Sequence, residues 1–109
     1  MTHTHQKLAA GGWVRLSFPE QMANIGSEVL RTINWRDKNK DYSAKAFDRA
    51  LELLDLTLAD QRNINRLREL ARIREALADY FVFDNCYKSS DSLWEKYFLA
   101  FNYVARRTL

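Results

Sequence analysis

Ser17-Phe18-Pro19-Glu20-Gln21-Met22-Ala23-Asn24-Ile25-Gly26 is the stretch on which the fold turns. Ser17 is placed to accept from the amide of Glu20, and the Glu20 side chain to reach back to the amide of Ser17, which makes a capping box. Pro19 falls in the first turn, where its missing N–H costs no helical hydrogen bond. Phe18, Met22, Ile25, Val29 and Ile33 then recur at helical spacing, so one face is apolar. Ala23 and Gly26 flank that face and are small enough to let a second helix come close. The pattern predicts a helix ending near Trp35, ahead of the polar run Arg36-Asp37-Lys38-Asn39-Lys40-Asp41.

The same reading extends outward. Ser43 is the expected cap of a second helix whose buried stripe is Phe47, Ala50, Leu51, Leu54 and Leu58, with Asp48, Glu52 and Asp55 on its other side. Asp60-Gln61-Arg62-Asn63 supplies a turn and the next cap. A third helix carries Ile64, Leu67, Leu70, Ala71, Leu77, Ala78 and Phe81 on one face and runs out near Asp84-Asn85. After a loop with Cys86 and Tyr87, Ser92-Leu93-Trp94-Glu95 offers a second capping box. The fourth helix is expected to bury Leu93, Trp94, Tyr97, Phe98, Phe101 and Val104, and to end on Arg106 and Arg107, where cations suit the helix dipole. Short loops make consecutive helices antiparallel neighbours. The expected fold is therefore all-α: an antiparallel up-down-up-down four-helix bundle over residues 17–109. Residues 1–16 are expected to form a flexible tail and a short arm, with Gly11-Gly12 loose and Trp13, Val14 and Leu16 apolar enough to dock.

Composition agrees with that outline. At 109 residues there is room for one core, and 47% hydrophobic with 28% charged residues is a globular balance. Three glycines and one proline are too few turn residues for a sheet protein of this size. The single cysteine, Cys86, has no internal partner, which fits a reducing compartment. No stretch approaches the ~20 apolar residues of a membrane span, and the first residues lack the apolar segment of a signal peptide. A cytoplasmic protein with no membrane partner is expected. A net charge of +3 permits an anionic partner without requiring one.

Catalytic chemistry finds little to work with. The glycines lie at 11, 12 and 26, so no phosphate-cradling loop exists. The histidines, His3 and His5, sit in the tail, too few for a metal site and too far from the bundle for a histidine-dependent triad. Cys86 reads as a partly buried structural thiol, and the carboxylate pairs Asp48 with Glu52 and Glu75 with Asp79 as surface acids. The expectation is no enzyme, no cofactor, no metal and no small-molecule substrate.

Arg62, Arg66, Arg68 and Arg72 make the third helix the candidate nucleic-acid-binding element, because guanidinium groups bind phosphates in a bidentate manner. The competing reading pairs Arg66 with Glu69, Glu69 with Arg72 and Arg72 with Glu75 along the helix. Arg74 projects from the middle of the apolar stripe at about 100° per residue. It is either buried in a structural ion pair, with Glu28, Glu52 or Asp55 as candidate partners, or aimed outside the subunit. More than half of the aromatics fall between Tyr80 and Tyr103, mostly as core and loop anchors. Leu56, Ile73, Leu99 and Tyr103 break the pattern outward. With Trp13 and Val14 they are the candidate oligomer interface, Leu99 and Tyr103 most clearly, since they stack four apart on the last helix.

From Ser17 to Arg107 the chain resembles the small bacterial four-helix-bundle proteins that include the ribosomal-RNA intervening-sequence proteins and the accessory proteins of diversity-generating retroelements. Ala23-Asn24-Ile25-Gly26-Ser27-Glu28 is similar to an Ala-Asn-Ile-Ala-Glu stretch of the intervening-sequence family, with Gly-Ser in place of one alanine. The resemblance implies a ring-shaped homo-oligomer, often a pentamer, with a basic surface for nucleic acid or a nucleoprotein. A helical ribonuclease of the HEPN kind would need an arginine followed by a nearby histidine, and no arginine here precedes any histidine. The expected function is a non-enzymatic oligomeric binding module that contacts RNA, DNA or a nucleoprotein. The alternative is a protein-only scaffold or antitoxin-like partner.

Overall fold

The computed structural model describes residues 12–107; the tail 1–11, with His3 and His5, and residues 108–109 lie outside them. A 3₁₀ turn at Trp13–Arg15 precedes α1 (Phe18–Trp35) and α2 (Lys40–Ala59). A second 3₁₀ stretch, Gln61–Arg66, leads into α3 (Leu67–Phe81), and α4 (Asp91–Arg107) follows. No strand occurs among the described residues. The four-helix, all-α fold is as the sequence predicts.

Cross-links between helices fix their directions. Near one end, Gln21 of α1 meets Asp60 just past α2, and near the other the Ser43 hydroxyl donates to the Thr32 carbonyl at 2.7 Å. Phe47 packs on Phe81, and Arg74 reaches Asp55, so α3 runs antiparallel to α2. Phe18 packs edge-on against Phe101 while Arg36 pairs with Asp91, which makes α4 antiparallel to α1. The most extensive helix pairings are α1 with α2 and α1 with α4. Gly26 permits the second of these: a Cβ there would lie 2.6 Å from the Cβ of Phe98. The core is built from Met22, Ile25, Val29, Leu54, Leu70, Leu77, Trp94 and Phe98, each nearly or wholly buried.

The helix starts differ in instructive ways. α1 begins as predicted: Ser17 Oγ accepts from Glu20 N at 3.2 Å and Glu20 Oε1 from Ser17 N at 2.9 Å. The Ser17 amide first, and the Ser17 hydroxyl after it, hold the Glu20 carboxyl below its usual pKa. α2 begins before Ser43, because Asn39 Oδ1 accepts from the amides of Asp41 and Tyr42, and Ser43 becomes a buried tie to α1. α4 is capped by Ser90, whose hydroxyl accepts from Leu93 N at 3.1 Å, so the box expected at Ser92 gives way to an earlier cap. Leu93 and Val104 are solvent-facing, and Ala105 is buried.

α3 departs most from expectation. Its lead-in is 3₁₀, with Asn63 at φ −98°, ψ 15°, outside helical values. A 3₁₀ turn advances about 3.0 residues where an α-helix advances about 3.6, so counting one continuous helix from Asn63 misplaces its start. Ile64, Leu67 and Ala71 face solvent, while the buried side swings toward Leu70, Ile73, Ala76, Leu77 and Tyr80. The helix ends at Phe81, short of Asp84. There the Asp79 carboxylate accepts from the amides of Cys86 and Tyr87, and Asn85 takes a left-handed conformation with φ 55°.

Candidate functional site

The outer face of α4 presents Leu99 at 64% and Tyr103 at 61% exposure, one turn apart. Val104 is exposed beside them, and the Arg107 guanidinium lies 5.6 Å from the centre of the Tyr103 ring. Between this face and α1 runs an open groove of about 380 Å³ whose floor is Ala23, Gly26 and Phe98 and whose rims carry Leu30, Lys96 and Leu99. The missing Cβ at Gly26 thus seats Phe98 and makes the groove floor. Leu30 is the part that periodicity missed. It lies off the α1 stripe, and its exposure was its only signal.

The remaining interface candidates divide. Trp13 is a correction: it is 2% exposed, and its Nε1 donates to Thr57 Oγ1 at 3.1 Å inside the subunit. An indole that finds both burial and a hydrogen-bond partner in its own chain has no surface left for a neighbour. Val14 is exposed. Leu56 and Ile73 are partly buried against the core rather than displayed.

Trp13 belongs to a buried polar knot that joins arm, α1, α2 and the α3 lead-in. Gln21 Nε2 donates to Trp13 O and to Asp60 Oδ2; Asn63 Nδ2 donates to Gln21 Oε1 and to Thr57 O. Asp60 also caps the 3₁₀ stretch by accepting from Arg62 N, and its carboxylate takes the Arg62 guanidinium at 2.7 Å. The Arg62 guanidinium, followed by Gln21 and the Arg62 amide, holds the Asp60 carboxyl well below the usual carboxylate range, against the opposing pull of burial.

The arginine cluster is correspondingly divided. Arg62 is committed to Asp60 and to the Leu16 carbonyl at 2.8 Å. Arg66 lies over the Phe18 ring, 4.3 Å from its centre. Arg68 and Arg72 are exposed and form no ion pair among the described residues, and none of the expected pairs of Glu69 and Glu75 with these arginines closes. Glu75 instead accepts from the Tyr87 hydroxyl at 3.2 Å. Glu69 lies toward α4, where burial first and its charge second push the Tyr97 hydroxyl upward in pKa.

Arg74 does pair with Asp55, at 2.8 Å, but at the surface, with the two side chains 39% and 56% exposed. The rotation of the α3 stripe moves it from centre to margin, which corrects the buried placement. Cys86 is exposed, a further correction, because the loop from Val82 to Ser90 folds over Asp79 through its backbone amides and turns the thiol outward. No group of His, Cys, Asp and Glu among the described residues is arranged to hold a metal ion, and no described helix is long and apolar enough to cross a membrane.

Fold and surface together define a small helical bundle with an apolar face on its last helix. No family model, curated protein or solved structure matches the chain.

Proposed function

We propose that the chain is a non-enzymatic binding module that works as an assembly of identical copies joined through the outer face of α4. The observation that carries this reading is the exposed pair Leu99 and Tyr103 beside the Leu30 groove. Leaving a side chain of that size in water forgoes roughly 1.5 to 3 kcal/mol of burial. An exposed, contiguous apolar strip rimmed by Lys96 and Arg106 has the make-up of an association surface. The resemblance to the intervening-sequence proteins would make the assembly a ring, which needs two unlike contact faces. The strip on α4 and the groove against α1 share Lys96, Leu99 and Asn102 and make one continuous face, which a self-complementary pair of copies would use more simply than a ring.

Contact with RNA or DNA through α3 rests on Arg68 and Arg72, since Arg62 and Arg66 are spent inside the subunit. It is the lesser reading. A benzophenone side chain introduced at position 99 or 103 tests the first one. Illuminated pure protein is expected to give covalent adducts between copies from both positions and none from position 48, exposed on α2. Absence of adducts from 99 and 103 would remove the α4 face as the contact.

A further inference from the structure

On the other side of α1, against α2, lies a second groove of quite different chemistry. It is lined by Arg31, Trp35, Tyr42, Lys45 and Arg49, encloses about 270 Å³, and has no acidic residue in its lining. Trp35 is 38% and Tyr42 54% exposed, their rings 5.3 Å apart and 80° from parallel. The Lys38 ammonium stands 6.0 Å from the Trp35 ring. Beneath the groove the nearly buried Glu28 carboxylate accepts from Arg31 Nη1 and Arg49 Nε, each at 2.7 Å. One carboxylate thereby orients two guanidiniums and neutralises one. The other positive charge remains, together with Lys45 and Lys38.

We infer that this groove binds single-stranded nucleic acid, one base stacking on the exposed Trp35 ring with Tyr42 roughly perpendicular beside it, and its phosphates meeting Arg31, Lys45 and Arg49. Exposed aromatic faces ringed by cations are what a strand of stacked bases on a polyanionic backbone recognises. An acidic peptide would use the cations and leave both rings idle. The groove is shallow and open, with nothing deep to enclose a free nucleotide, so the strand is favoured over its monomer. Nothing in the lining reads one base edge against another, so binding should be indifferent to sequence. The inference does not depend on assembly through α4, because the two surfaces lie on different sides of α1.

Trp13 and Trp94 are each 2% exposed, so quenching of tryptophan fluorescence by an added strand reports on Trp35. Titration with a short oligothymidylate at low salt is expected to quench saturably. With about three phosphates engaged, affinity should fall roughly tenfold or more between about 50 and 200 mM salt. By anisotropy of a labelled strand, Trp35→Leu should weaken binding roughly fivefold or more. Lys45→Gln should weaken it and flatten the salt dependence, while Arg68→Gln with Arg72→Gln should leave it unchanged. All variants are first shown to be folded by circular dichroism. The inference fails if no strand binds at low salt, or if the α3 variant loses binding while Trp35→Leu and Lys45→Gln keep it. It fails equally if thymidine monophosphate binds as tightly as the strand, which would make the site one for free nucleotides. Polyglutamate competing as well as the strand would make it a site for acidic peptides.

Discussion

Asp60 ties separate parts of the fold together through its charge, since it joins Gln21, Arg62 and the first turn of the α3 lead-in. Its carboxyl titrates below its ordinary value in the folded chain, so the stability it contributes is present above the unfolded pKa of about 3.9 and is lost as pH falls below that. Asp60→Asn should therefore lower stability in denaturant titrations at neutral pH, and the gap to wild type should close as pH drops below about 4. A pH-independent gap would contradict the assignment. Arg74→Ala should cost no more than about 1 kcal/mol, since its partner Asp55 is even more exposed than it is. A loss of several kcal/mol would return Arg74 to the interior. Gly26→Ala should destabilise by about 1 to 3 kcal/mol through overpacking on Phe98, seen as a lower melting temperature. Single-residue reading succeeded at Ser17 because cap, acid and proline agree. It failed at Ser43 and Ser92 because Asn39 and Ser90, equally good caps, stand a few residues upstream.

At the scale of elements, the cap, the apolar stripe and the close contact at Gly26 of α1 were legible from spacing, whereas its buried polar residues Gln21, Glu28 and Thr32 were not. α3 was not legible, because a 3₁₀ lead-in changes the residue count per turn and no side chain advertises it. The same error made four arginines look like one surface. Arg62→Gln removes the guanidinium from Asp60 and from the Leu16 carbonyl and should destabilise the chain more than loss of an arginine with no such partners. Arg68→Gln and Arg72→Gln should each stay within about 0.5 kcal/mol. Equal effects at all three positions, measured by urea unfolding, would show that the arginines act as one set after all. The aromatic and cationic side of α1 and α2 was within reach of the sequence, since Tyr42, Lys45 and Arg49 share a helix face. The turn between Trp35 and Lys40 had to be known before Trp35 could be set beside them.

At the scale of the whole molecule, the described residues leave few buried polar groups without a partner, among them Trp94 Nε1, and Leu99, Tyr103 and Val104 are displayed together on one helix. Scattered exposed leucines and tyrosines are ordinary, but a pair one turn apart beside an apolar groove is a place for another surface. Light scattering on the purified protein at micromolar concentration, wild type beside a Leu99→Glu, Tyr103→Glu double variant, tests this most directly. The account predicts a wild-type mass that is a multiple of 12.9 kDa and a variant that falls to a single folded subunit. A wild type that runs at the single-subunit mass would contradict it.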